Sequence, residues 1–169
     1  MPARPRRPTR RPPPRRPREG LDALDRRLLE ELQKDARLTN RELAERVGLS
    51  PAPCWRRVRR LERSGRIARY AALLEAEAVG LPVTAYVHIS LDDHHPQTVK
   101  RFDDLIQSLP AVLECYSMSG QTDYLLKVVA RSMSDYEAFL TRHLLPAVRS
   151  ANTSFVLKRK KLTTVLPLE

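Results

Sequence analysis

TNRELAERVGLSPAPCWRRVRRLER, residues 39–63, decides how this chain folds, because two helix starts and a glycine stop lie within it. Thr39 and Glu42 have the spacing of a capping box, in which each side chain answers the other's orphan backbone N–H. Leu43, Ala44 and Val47 follow as an apolar stripe at helical spacing, and Gly48 stands where a chain leaving a helix needs positive φ. Ser50 offers an N-cap, and Pro51 a first-turn residue with no N–H to leave unsatisfied. In the second helix Cys54, Val58 and Leu61 fall at i, i+4 and i+7 and form an inward face. Arg56, Arg59, Arg60 and Arg63 take the opposite half. A basic face alone would be a solvated surface, but behind a capped helix and a glycine turn it reads as the second helix of a helix-turn-helix, suited to phosphates and guanine edges. The DNA-facing set is Asn40, Arg41, Ser50, Pro51, Ala52, Trp55, Arg56, Arg59, Arg60 and Arg63, and the partner implied is double-stranded DNA.

Working outward, Leu24, Leu28, Leu29 and Leu32 make one face of a helix over residues 22–36 behind an Asp22 cap, which gives three helices and a DNA-binding domain over 21–65. Residues 66–81 read as a linker that begins with a wing or short strand, RIARYAALL, where Arg66 and Arg69 either reach phosphates or are simply solvated. Charge follows the same division. Residues 1–20 carry eight Lys and Arg against one acid, a net +7; residues 21–70 carry thirteen against eight, a net +5; residues 71–169 carry ten against eleven, a net −1. One end of the chain is built to meet a polyanion and the other is not. The first 20 residues hold seven prolines and eight arginines with almost no large apolar side chain, so they are expected to stay disordered. They serve either as an electrostatic arm on DNA or as a dispensable extension.

The second half changes period. Val83, Ala85, Val87, Ile89 and Leu91 alternate with polar residues, so 82–91 reads as a strand. Val99, Phe102, Ile106 and Leu109 repeat as a helix, residues 112–118 and 124–130 return as strands around SGQTD, a capping box from Ser134 to Glu137 opens a second helix, and 153–166 ends extended. The order β-α-β-β-α-β predicts a ferredoxin-like domain over 82–169, making the whole chain α+β. Its strands 112–118 and 124–130 carry apolar residues on both sides (Val112, Tyr116 and Met118 against Leu113 and Cys115). A sheet with helices on one face would then need a second copy on the other, which predicts a two-fold homodimer.

Other chemistry finds little support. Cys54 and Cys115 form no CxxC, and the four histidines have no ligand spacing, so neither a metal site nor a cofactor is expected. No Ser/His/Asp arrangement or phosphate loop suggests an enzyme. The absence of an apolar leader or a membrane-length apolar run makes a soluble, cytoplasmic, nucleoid-associated protein the expectation.

The segments LDALDRRLLEELQKDAR, ELAERVGLSPAPCWRRVRRLERSG, ECYSMSGQTDYLLKV and TSFVLKRKKLTTVLPLE together resemble the Lrp/AsnC, or feast/famine, transcription regulators from Leu21 to the C-terminus. The last three look most like the local regulators of branched-chain amino acid, proline or cysteine catabolism. The resemblance implies dimers that join into octamers and an amino-acid effector bound where dimers meet, at a loop that maps onto Gly120, Gln121, Thr122, Asp123 and Tyr124. In that loop, backbone N–H groups of a glycine turn would take the ligand carboxylate and Asp123 its ammonium. Without the resemblance, Gly120 and Asp123 would shape a hairpin turn. The sequence departs from the family at Gln121, where an acid is common, and in HLLPAV, which is shorter than usual and has Ala147 for a glycine. An architectural DNA-binding protein without an effector is the alternative reading.

Overall fold

Three helices, α1 (Ala23–Lys34), α2 (Asn40–Val47) and α3 (Pro51–Arg63), form the first unit of the computed structural model, which describes residues 20–168. The expectation for the Arg/Pro-rich tail therefore lies outside the described residues. Contacts divide the chain into residues 20–70 with 163–168, and residues 71–162. The sequence reading ran the second domain to the C-terminus, but the last residues return to the first unit. Their anchor is Gln33 on α1, whose Oε1 accepts from Leu166 N at 2.6 Å while its Nε2 donates to Leu166 O at 3.2 Å. Leu168 packs against the same core as Leu28, Leu43, Val47, Cys54 and Leu61. The apolar stripes of the three helices thus converge as their spacing predicts. Burial of each leucine there contributes about 1.5–3 kcal/mol.

Each helix start has an identifiable cause. Asp22 caps α1 by accepting from Asp25 N at 2.8 Å, and Thr39 with Glu42 makes the full capping box on α2. Gly48 adopts φ +71° and closes α2, its neighbour Leu49 N donating to Ala44 O at 2.9 Å. Ser50 occupies the N-cap of α3, yet its side chain makes no capping hydrogen bond, so Pro51 and extended backbone at Ser50 set that start. Residues 66–74 form no strand, so of the two expectations for this segment the short strand is not met.

In the second unit, β1 (Val83–Ser90), α4 (Pro96–Ser108), β2 (Val112–Ser117), β3 (Tyr124–Ala130), α5 (Met133–Phe139) and β4 (Ser150–Phe155) build a four-stranded sheet in the order β2-β3-β1-β4. All three pairings are antiparallel. Ala85, Val87 and Ile89 of β1 meet Val128, Leu126 and Tyr124 of β3, and this face packs with Phe102, Ile106, Tyr136 and Leu144 into one core.

Four expectations need adjustment here. The second helix begins two residues early, because Ser132, not Ser134, accepts from Asp135 N, at 3.0 Å. Two overlapping Ser-x-x-acid frames exist, and the earlier one also brings Tyr136 N onto Ser132 O at 3.0 Å. After Phe139 the helix widens into a π turn (Leu140–Leu144) and then a 3-10 turn (Leu145–Ala147) with Pro146 in its first turn, and extended backbone at Val148 ends it. β4 stops at Phe155, and residues 156–168 are irregular.

The fourth adjustment concerns the open sheet face. A register shift between Val112 and Glu114 places Val112 opposite Val128 and Cys115 opposite Leu126, both on the helix side, while Glu114 and Tyr116 face the other way. The bulge breaks simple alternation, so Tyr116 does not share a side with Val112. On the open face, between β2 and β3, is an ion pair, Lys127 Nζ to Glu114 Oε1 at 2.9 Å, with Tyr116 donating to Glu114 Oε2 at 2.9 Å. Tyr86, His88 and Leu125 share that side. It is a mixed surface, less apolar than the alternation suggested.

Candidate nucleic-acid interface and effector loop

The arginines of α3 divide into inward struts and outward cations. Arg57, at the border of the apolar stripe, donates to both Asp22 and Asp25 of α1, the latter at 2.9 Å. Arg60 donates from Nη2 to the other oxygen of Asp25 at 2.6 Å, while its side chain stays 51% exposed. Asp25 is almost fully buried, so without these partners its charge would be costly to hold there. The Arg57 hydrogen bond, then the Asp25 backbone N–H, holds the Asp22 carboxyl below its ordinary range, and the same pairing raises the Arg57 guanidinium above its own.

Arg56 and Arg63 carry no ion pair among the described residues. Arg59 pairs with Glu62 at 3.0 Å and lies 5.7 Å from the centre of the Trp55 ring, itself 51% exposed. This is cation–π distance, and it holds both groups at the surface of α3. Asn40 Nδ2 donates to Pro51 O at 2.8 Å and so ties the start of α2 to the start of α3. Arg41 pairs along its own helix with Glu45 at 3.1 Å. Pro51 and Ala52 lie exposed in the first turn of α3, preceded by exposed Ser50.

Of the sequence-derived set, Arg56, Arg59, Arg60, Arg63 and Trp55 share one open side of α3, whereas Asn40 has an internal role. Asp22 was read only as a cap, and its pairing and that of Asp25 with the arginines of α3 escaped sequence reasoning. Their signal was present: two acids three apart at the start of α1 match two arginines three apart on α3, a ladder legible only once the helices are paired.

The loop between β2 and β3 is fixed at its Asp123 end. Asp123 N donates to Ile89 O and Met118 N to Asp123 O, both at 2.8 Å. The carboxylate accepts from Leu91 N at Oδ2 and from His94 Nε2 at Oδ1, again both at 2.8 Å. The Leu91 N–H, and after it His94, holds the Asp123 carboxyl below its ordinary range. Tyr124 packs against Phe102 with ring centres 4.6 Å apart and planes tilted by 38°, so its ring belongs to the core side of the sheet. Gly120, at φ +128°, adopts a backbone that other residues rarely enter, and with Gln121 it is exposed; Thr122 is half-buried. The loop therefore offers an open glycine turn beside an oriented carboxylate. His94 is the participant that its position in a loop did not reveal.

Cys54 is buried, and desolvation pushes its thiol up; Cys115 is exposed, and both are free. No group of three or more potential metal ligands forms among the described residues, and none of their helices is long and apolar enough to cross a membrane.

Comparison with known proteins agrees with both halves. Residues 21–68 match the winged helix-turn-helix DNA-binding family, and residues 84–166 match the Lrp/AsnC ligand binding domain. Leucine-responsive regulatory proteins of Klebsiella pneumoniae and Escherichia coli strain K12 are 41% identical over 157 residues, spanning 92% of this chain and 96% of theirs. A transcriptional regulator of Neisseria meningitidis in complex with L-methionine superposes with TM-score 0.84 at 42% identity, over 87% of this chain and 96% of that one. An AsnC family regulator of Agrobacterium tumefaciens gives 0.82 at 41%, over 86% and 96%. With a capped helix-turn-helix in the first unit and a ferredoxin-like sheet in the second, the chain belongs to the Lrp/AsnC family of DNA-binding transcriptional regulators.

Proposed function

We propose that α3 enters the major groove with Arg56, Arg59, Arg60 and Arg63 toward base edges and phosphates, and that a free amino acid bound at residues 120–124 modulates this binding. The observation that carries the reading is the α3 surface: a helix started at Pro51 and held by a buried carboxylate, with a row of cations on its open side. Such a face lowers its energy on a polyanion by counterion release and by bidentate contact with guanine. In the loop, exposed backbone of Gly120 and Gln121 would receive the ligand carboxylate. Each oxygen of Asp123 keeps a second lone pair, so it can take an ammonium while Leu91 and His94 hold it in place. The relatives named for leucine and complexed with L-methionine support an amino acid with an unbranched or branched apolar side chain as the effector class.

The protein works in the cytoplasm, on the nucleoid, as a regulator and not as an enzyme. The open sheet face, with Tyr86, Tyr116 and Leu125 around the Glu114–Lys127 pair, meets a second copy across a two-fold axis, and dimers join into octamers. Dimerisation puts two copies of α3 on one duplex, which suits a pseudopalindromic site. The test is titration of the full chain with L-leucine and L-methionine by calorimetry, alone and on a duplex selected from a random pool, with sedimentation of the same samples. Binding of either amino acid together with a changed DNA affinity supports the effector reading. Firm DNA binding with no amino acid bound would replace it with the architectural one.

A further inference from the structure

We propose that Asp25, buried on the first helix, is a positioning residue for base recognition: it fixes the Arg60 guanidinium in the pose that reads DNA. The inference rests on α3 being the recognition helix and goes beyond it, since it assigns part of the specificity to a carboxylate that touches no DNA.

Three observations carry it. First, the Asp25 side chain is 4% exposed, and its two oxygens go to two different arginines, Oδ1 to Arg57 and Oδ2 to Arg60. Asp22 and Asp25 carry two negative charges and Arg57, 27% exposed, is bonded to both, so Arg60 is the second cation that completes the pairing of Asp25. Second, Arg60 is placed differently. It contacts Asp25 through Nη2 at 2.6 Å yet remains 51% exposed, and Asp22 lies 3.9 Å away, too far for a hydrogen bond. One edge of its guanidinium is held and the rest is open, the arrangement that leaves a donor fork for the O6 and N7 of guanine. Third, Arg56, one turn earlier on the same side of α3, has no such holder among the described residues. A long side chain that is free before binding loses rotamer freedom on binding, whereas one already held does not. Arg60 therefore enters the groove pre-organised and Arg56 does not.

The test uses the full chain and a random-sequence duplex pool of about one to two helical turns beyond a half-site. Pools selected by wild type, Arg60→Ala, Arg56→Ala and Asp25→Asn are sequenced, and the preference at each base position is compared. Asp25→Asn should lose about tenfold discrimination at the position that Arg60→Ala also loses, whereas Arg56→Ala should lose a different position. In an Arg60→Ala background, Asp25→Asn should have no further effect on the preference. Uniform weakening at all positions, or an unchanged preference, in an Asp25→Asn protein with native helicity would overturn the proposal. Should that variant not fold, Asp25→Glu keeps the charge on a longer stem, and its altered preference must fall at the Arg60 position or the proposal fails. If Arg60→Ala itself leaves the preference intact, the recognition-helix reading falls as well. If Arg60→Ala alters it and the Asp25 variants do not, only the present inference falls.

Discussion

The α3 surface and the loop at residues 120–124 both bring polar groups to solvent and are the two proposed binding sites, yet they are built by opposite means. On α3 each side chain's direction follows from helical spacing, so the cations Arg56, Arg59, Arg60 and Arg63 share a side because of their positions in the chain. In the loop nothing local aims Asp123. Its carboxylate is held by Leu91 and His94, 32 and 29 residues away in sequence. The difference teaches that a site on a helix inherits its geometry, whereas a site on a loop borrows it from whatever the fold brings alongside.

The largest effect that would test this contrast lies beneath both surfaces. Leu61→Ala under α3 and Leu126→Ala under the sheet each remove a fully buried side chain and should cost about 2–5 kcal/mol of stability, read by denaturant unfolding. A change under 1 kcal/mol at Leu61 would mean that α3 is not anchored as described. Next, Asp123→Asn keeps the turn but removes the charge proposed to face a ligand ammonium. Calorimetric affinity for L-leucine or L-methionine should fall by about 1.5–3 kcal/mol, while DNA binding without ligand survives. Equal affinities in the two proteins would return Asp123 to the role of turn former.

Arg56→Ala comes third. Arg56 lacks an internal partner among the described residues, so its loss should leave stability nearly unchanged yet weaken binding to a selected duplex by about 1–3 kcal/mol in a gel-shift assay. Wild-type affinity would remove this face from the interface.

The smallest effect is one of pH. The Asp22 carboxyl is held below its ordinary value of 3.8, so its pairing with Arg57 stabilises the protein fully above that value and fades as pH falls through the lowered one. Asp22→Asn should therefore be less stable than wild type near neutrality, with the gap closing only below about pH 4. A gap of constant size down to pH 2 would show that capping geometry, not charge, is what Asp22 supplies.

Legibility from sequence followed the same contrast. The helices, their caps at Asp22 and Thr39, the Gly48 turn, the first three strands and the βαββαβ order were readable because each depends on residues a few positions apart. The start of α5 was misread by two residues because Ser132 and Ser134 both have an acid three positions later. The bulge after Val112 was hidden because nothing local marks it, and it reversed which side Tyr116 takes. The Asp22/Asp25 ladder and the His94–Asp123 contact are long-range pairings. Their residue types were visible, but the pairing exists only in three dimensions.

The return of the C-terminal residues to α1 has a bearing on how such a gene can be cut and rejoined. With Leu166 bonded to Gln33 and Leu168 in the helical core, the DNA-binding unit is encoded by two stretches of the gene that flank the sheet. Recombination that transplants codons 20–70 alone leaves part of that unit behind. A stop codon introduced at position 163 spares the entire sheet and damages the DNA-binding unit instead.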